Sequence, residues 1–274
     1  MNKHLLFFGL LASSFAFGQM GARTLVPFRS GAVAGLAAGN DFDAAGLATF
    51  GLYGVGNTNT ETFTEINASG KLSGYIRPFK RTVSGIPMFV DVNFGFNVNA
   101  SNTDSLAIST VLFPDVGKNS FSASVVYNLA LGRSSNYYLI SPFFEFATKT
   151  INGRNEDSER SFYSINSSLG VNFQYLLVQN SEKVSFSLSP YLSWVEIPEP
   201  GRSDYRFLLT ADETSPLVTK IRSWGVKAAF QYNNFQIFAD LRTVNGNQAE
   251  LPVDGFRGFH PNIGVVFNAE IFER

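Results

Sequence analysis

Two histidines, no cysteine and thinly scattered carboxylates limit the chemistry this chain can do. General acid–base work, or an activated nucleophile, usually needs a His beside a Ser or an acid. His260 stands in "GFHPN" with Asp254 upstream, and no nucleophile motif accompanies it; His4 falls in the first few residues. A solvated histidine at the rim of the last strand is the expectation, and no enzyme; an outer-membrane hydrolase is the least supported alternative. No zinc-type His/Cys cluster occurs. "NDFD" (40–43) and "NEDSE" (155–159) offer carboxylates without the spacing of a calcium loop. "GLAAG" lacks the Lys-Ser/Thr of a phosphate loop and reads as a close-packing segment. No cofactor or metal is expected.

Charges at alternating positions are more informative. If Asn233-Asn234 is a two-residue turn, it fixes the register of its flanks. Tyr232 then faces Phe235, and Lys227 faces Asp240. Arg242 points to the same side, with Glu145 and Lys71 expected at similar depth on their own strands. Asp91, Lys149 and Glu270 fall on the polar faces of theirs. Two chemistries fit these eight residues. One is a salt-bridge network that fills a narrow interior; the other is a charged constriction that selects solutes. The small interior of a barrel of ~10 strands favours the first.

The elements that would position these charges follow from a period of two. In "MFVDVNFGFNVNAS" (88–101), Met88, Val90, Val92, Phe94, Phe96, Val98 and Ala100 form one face. Phe89, Asp91, Asn93, Gly95, Asn97, Asn99 and Ser101 form the other. Such alternation is a β-strand with one apolar face. It recurs at 64–76, 119–132, 137–150, 162–177, 184–196, 221–232, 235–244 and 261–272, and more weakly at 46–56. That makes about ten strands, with twelve as the alternative, at the spacing of a transmembrane barrel. "GRSSN" (132–136), "QNSE" (179–182) and "NN" (233–234) are short connections. Those at 101–118, 151–160, 198–216 and 245–262 are long, and "PFKRTVSGIP" (78–87) is intermediate. Short turns at one end and long loops at the other suit a barrel in an outer membrane.

Composition agrees. Charged residues make up 16% of the 274, below the usual quarter of soluble domains, while aromatics reach 15%. Mean hydropathy is only +0.03, which excludes a bundle of membrane helices. A net charge of −1 gives no reason to expect a nucleic-acid partner. "MNKHLLFFGLLASSFAFGQ" has a positive start, a short apolar run and a small-x-small site, so residues 1–18 read as a secretory signal peptide. No later stretch reaches the ~18 apolar residues of a membrane helix. The expected organisation is signal 1–18, an N-terminal segment 19–45 in or under the lumen, and a barrel over 46–274.

The faces decide between water and lipid. A soluble barrel turns a face rich in Lys, Glu, Asp and Arg to solvent. Here the polar face is Ser, Asn, Gly and Gln, which suits a shared lumen. The apolar face carries Trp194 and Trp224 toward the long loops. Tyr138, Tyr175, Tyr232 and Phe235 lie toward the short turns. That is a pair of interfacial girdles.

In this pattern the chain resembles Gram-negative outer-membrane β-barrel proteins. The resemblance implies an all-β, antiparallel up-and-down barrel in the cell outer membrane. Lipid would be its surroundings and the barrel-assembly machinery a partner in biogenesis, with envelope proteins as further candidates. The family often ends on an aromatic residue; here Phe272 is followed by Glu273-Arg274. "SGAVAGLAAGNDFDAAGLATFG" (30–51) is similar to the small-residue N-terminal region of long-chain fatty-acid outer-membrane transporters. Its nearest match to their turn is Asp43-Ala44-Ala45-Gly46, without the proline. The functional expectation is a small pore or transporter for polar or amphipathic solutes. The alternative is a plugged barrel that acts through its outer loops.

Overall fold

The computed structural model describes residues 43–57, 62–99, 111–112, 119–133, 136–155, 158–179, 182–208, 217–244 and 258–273. The expected signal peptide lies outside them. So does the N-terminal segment, except Asp43–Ala45, which belong to the first strand rather than to a plug.

Ten strands are described: β1 (Asp43–Asn57), β2 (Thr62–Val83), β3 (Ile86–Asn99), β4 (Asn119–Arg133), β5 (Asn136–Asn155), β6 (Ser158–Gln179), β7 (Glu182–Glu196), β8 (Lys220–Tyr232), β9 (Phe235–Val244) and β10 (Gly258–Glu273). Each pairs antiparallel with its chain neighbours, and β1 pairs with β10, so the sheet closes into a barrel. Closure leaves no strand of the sheet as a free edge strand. The stagger is large. A path across partners from Asp43 and Arg77, at the bulge opposite Asp91, runs through Val126, Phe143, Gly170, Tyr191, Gly225 and Arg242 to His260. His260 lies two residues from Asn262, the partner of Val55, so one circuit climbs most of β1. Strands in a closed barrel must tilt in this way.

Turn chemistry sets the short end. Ser84 and Gly85 take φ of 51° and 78° between β2 and β3. Two consecutive positive φ values match the right-handed twist of flanking strands. The 78–87 segment is therefore strand, tight turn and strand, not a loop of intermediate length. Asn233 takes φ 49° between β8 and β9, a conformation Asn tolerates better than most residues. At the other end β5 and β6 run on to Asn155 and Ser158. The stretch 151–160, expected as a loop, is the tip of a long hairpin, because its residues keep pairing from Ile151↔Phe162 to Asn155↔Ser158. After β7, a 3-10 turn (Glu199–Gly201) leads into a short helix, α1 (Arg202–Leu208).

Burial follows the alternation and is inverted from that of a soluble barrel. Outward positions are large and apolar: Phe94, Val125, Phe144, Leu169, Phe173, Phe186, Leu192, Phe230, Ile237, Ile263 and Phe267 are all exposed. Inward positions include buried Ser, Asn, Gln and charged residues.

Candidate functional site: the filled lumen

The interior is organised in three levels along the barrel. At the short-turn end, Phe89, Ala130, Leu139 and Leu176 form an apolar cluster, with Tyr137 packed against it. Ala229, Phe238 and Val266 form a smaller cluster on the opposite wall. All these side chains belong to strands and point inward. Phe89 is the signal that sequence offered: a large aromatic residue on an otherwise polar face.

Beside this cluster lies the first charged group. Arg77 Nε donates to Asp91 Oδ1 at 2.7 Å and Arg77 Nη2 to Oδ2 at 3.3 Å. Asn128 Nδ2 donates to the same carboxylate at 3.1 Å, and Ser141 Oγ donates to Asn128 Oδ1 at 2.8 Å. The guanidinium also stands 4.1 Å from the centroid of the Phe89 ring, a cation–π distance. Arg77 is 2% exposed, so its charge depends on these partners. Sequence reading placed Asp91 inside and overlooked Arg77, because the expected strand ended at 76, one residue short of it, whereas β2 runs on to Val83.

The second charged group sits across the lumen. The Asn233-Asn234 turn sets Tyr232 opposite Phe235 and Lys227 opposite Asp240, the register a two-residue turn dictates. Lys227 and Asp240 are both buried. The Lys227 ammonium lies 4.8 Å from the Phe238 ring centroid. Asp240 Oδ1 accepts a hydrogen bond from Tyr191 Oη, which in turn accepts one from Arg242 Nε at 3.2 Å. Tyr191 thus joins an acid and a base that share one strand. Its parity with Ser185, Ser187, Ser189 and Ser193 pointed it inward; its size is what set it apart from those serines.

Glycine makes room for that tyrosine. Tyr191 pairs with Gly170 on one side and Gly225 on the other. A Cβ at Gly225 would lie 2.6 Å from Tyr191 Cζ and Oη. A Cβ at Gly170 would lie 2.6 Å from Phe143 Cζ and 2.8 Å from Tyr191 Cβ. Any larger residue would push the hydroxyl away from Asp240.

His260 is the correction. It is the third residue of β10, at the long-loop end of that strand, but it is paired opposite Arg242 and buried rather than solvated in a loop. Asp254, its expected neighbour, lies outside the described residues. Glu145 and Lys149 are buried on the β5 wall, opposite serines of β4 and β6. Lys71 stands in the row of Asn97, Ser120 and Lys149 by backbone register. Glu270 pairs with Leu47. The side chains of Lys71 and Glu270 are outside the described ones. Two groups of bonded side chains stand on different walls, Arg77–Asp91 with Asn128 and Arg242–Tyr191–Asp240.

The long-loop end is filled differently. Val111 and Leu112, from the β3–β4 connection, and Tyr205 and Leu208, from α1, pack with Ile151, Phe162, Val195, Ile197, Ile221 and Val244 of the surrounding wall and its edge. Arg242 Nη1 donates to the Leu112 carbonyl. Tyr205 packs against Phe162 with centroids 5.0 Å apart and the rings tilted by 50°, and burial pushes its phenol above the usual range. Arg160, at the hairpin tip, donates to Asp204 at 3.0 Å and lies over the Phe207 ring. Between the two ends, Ser193 Oγ, Ser223 Oγ and Asn262 Nδ2 and Oδ1 are buried polar atoms with no protein hydrogen-bond partner among the described residues.

The expected girdle residues lie on the outer surface. Trp194 and Trp224 are exposed near the long-loop ends of β7 and β8. Tyr138 and Tyr232 are exposed near the short turns, and Tyr138 packs on Tyr175 with centroids 5.0 Å apart.

Fold and interior together define an antiparallel barrel with an apolar exterior and a charged, filled lumen. In that architecture the chain resembles Gram-negative outer-membrane β-barrel proteins. No family model matches it, and no curated protein is similar to it in sequence. Solved structures similar to it include the β domain of the Bordetella autotransporter Brka, at 8% identity over 82% of this chain and 98% of that one, with a TM-score of 0.37. The transport unit of the autotransporter AIDA-I from Escherichia coli is 9% identical over 82% and 90%, with a TM-score of 0.26. A mutant of Rh. blastica porin is 9% identical over 83% and 100%, with a TM-score of 0.20.

Proposed function

We propose that the chain spans the outer membrane as a β-barrel whose lumen is filled at rest, and that it acts in the envelope through its loop-side cap. One observation carries this reading: the polarity is inverted. From Phe94 around to Phe267 the outer surface is apolar, while Arg77, Lys149, Lys227, Asp240 and Arg242 are buried inside. Water would expose the first set at great cost, since exposed apolar patches on soluble proteins rarely exceed a few hundred Å². A bilayer removes that cost, and only a closed barrel lets strands lie in lipid with every backbone group paired. The test is insertion of the refolded chain into phosphatidylcholine vesicles. Protease-resistant, heat-modifiable barrel is the expected result; a water-soluble folded monomer would overturn the reading.

A second reading is a passage for small polar solutes. It is favoured by the polar middle level, where Ser193, Ser223 and Asn262 have atoms that water or solute must satisfy. Planar-bilayer recording separates the two. Silence supports the filled barrel, and steady conductance supports the passage.

A further inference from the structure

Among the described side chains, the outward face is apolar from one belt to the other, and charge appears only at its edges. Among outward-facing strand positions with described side chains, the charged residues are Arg81 near the short turns and Glu196, Lys220 and Arg222 at the long-loop end. The last three share two adjacent strands. Register sets Lys220 opposite Glu196, Arg222 opposite Trp194, and Trp224 opposite Leu192. Lys220 Nζ is 3.5 Å from Glu196 Oε1, which partly neutralises it. Arg222 is exposed and has no ion-pair partner among the described residues. Among the described residues the spot therefore carries a net positive charge, centred on a guanidinium flanked by two exposed indoles.

Each part has a physical preference. Indoles settle at the boundary between acyl chains and headgroups. A guanidinium offers a planar fork of donors that fits phosphate oxygens. Long loops mark the outer side of a barrel and short turns the periplasmic side. The spot thus faces the outer leaflet at headgroup depth, where lipid diffuses past and a folded protein partner would have to enter the bilayer. We propose that Arg222, with Lys220, Trp194 and Trp224, docks a phosphate of an outer-leaflet phosphorylated glycolipid of the lipid A class. The proposal rests on the membrane-spanning reading above.

The test uses the full chain in phosphatidylcholine nanodiscs doped with bisphosphorylated lipid A or, separately, with phosphatidylglycerol; retained lipid is counted by native mass spectrometry. Lipid A should be retained in preference to phosphatidylglycerol. Arg222→Gln should weaken retention about fivefold, the effect of one interfacial cation. Lys220→Gln should weaken it less, because Glu196 already engages that charge. Arg222→Lys should keep part of the affinity, and Arg81→Gln should keep all of it. Equal heat-modifiable migration of all variants establishes that each is folded. Unchanged retention by Arg222→Gln, or equal retention of phosphatidylglycerol, overturns the docking site while leaving the membrane reading intact. Failure of the wild-type chain to insert into phosphatidylcholine overturns both.

Discussion

The two ends of the lumen are filled by different means. At the short-turn end, every residue of the apolar cluster is a strand residue: Phe89, Ala130, Leu139 and Leu176 sit on β3 to β6. The wall and its filling are one object there, and neither can leave without unpairing strands. At the long-loop end, four of the ten buried residues of the described cluster are foreign to the wall. Val111, Leu112, Tyr205 and Leu208 come from connections, held by packing, by the Arg242–Leu112 hydrogen bond and by Arg160–Asp204. The Arg160–Asp204 pair is partly exposed and contributes little, as surface ion pairs do. Closure made by strands should share the global stability of the barrel, and closure made by connections should open locally at lower cost.

The largest effect that would sharpen this contrast is at Arg77. Arg77→Met leaves the Asp91 carboxylate without its closest cation, in a site where Arg77 is 2% exposed. Breaking one partner of a buried pair costs about 3–5 kcal/mol. Urea unfolding in vesicles should register that loss as a global shift. Arg77→Met with Asp91→Leu should recover part of it. A loss confined to local proteolysis, with no global shift, would break the contrast at its firm end.

Next in size is a charge on the outside. Phe94→Arg should cost about 2–4 kcal/mol if Phe94 faces the bilayer core. Asn93→Arg, one residue along and pointing inward, should be milder in the same refolding assay. Equal losses would mean that the two faces are not solvated differently.

Tyr191→Phe is smaller again. It removes the hydroxyl between Arg242 and Asp240. Leaving a buried charged acceptor short of one donor costs about 1–3 kcal/mol. The variant also tests whether Arg242, less firmly oriented, still holds Leu112. Faster cleavage of the 100–118 connection by protease is the expected sign, and an unchanged cleavage rate would separate the wall triad from the cap.

The smallest global effect should come from Tyr205→Ala. The residue is fully buried, yet its contacts lie in the cap and the hairpin tip. The global unfolding midpoint should move little, while protease should cut within 199–208 much faster. A midpoint loss as large as that of Arg77→Met would mean that both closures belong to one cooperative unit.

Sequence by itself determined the faces and the local registers. Side chains alternate with a fixed period of two, so Val92 and Phe94 go one way and Asp91 and Asn93 the other, whatever the rest of the chain does. A two-residue turn fixes pairing across it, so Lys227 had to face Asp240 once Asn233-Asn234 turned. Tertiary structure decided which side chains meet within a face. Tyr191 and Asp240 are 49 residues apart, and their contact depends on how two hairpins are staggered and on the room left at Gly225. Arg77 lies one residue past the expected end of its strand at 76, and pairing with β3 carried β2 on through it, so that it meets Asp91. His260 looked like a loop residue because Pro261 and a run of turn-forming residues surround it. Pairing with β9 extended β10 to Gly258 and buried it beside Arg242. Alternation is local geometry and can be read from neighbours in the chain. Tilt, stagger and the infolding of connections are properties of the closed barrel, and they exist only once β1 has met β10.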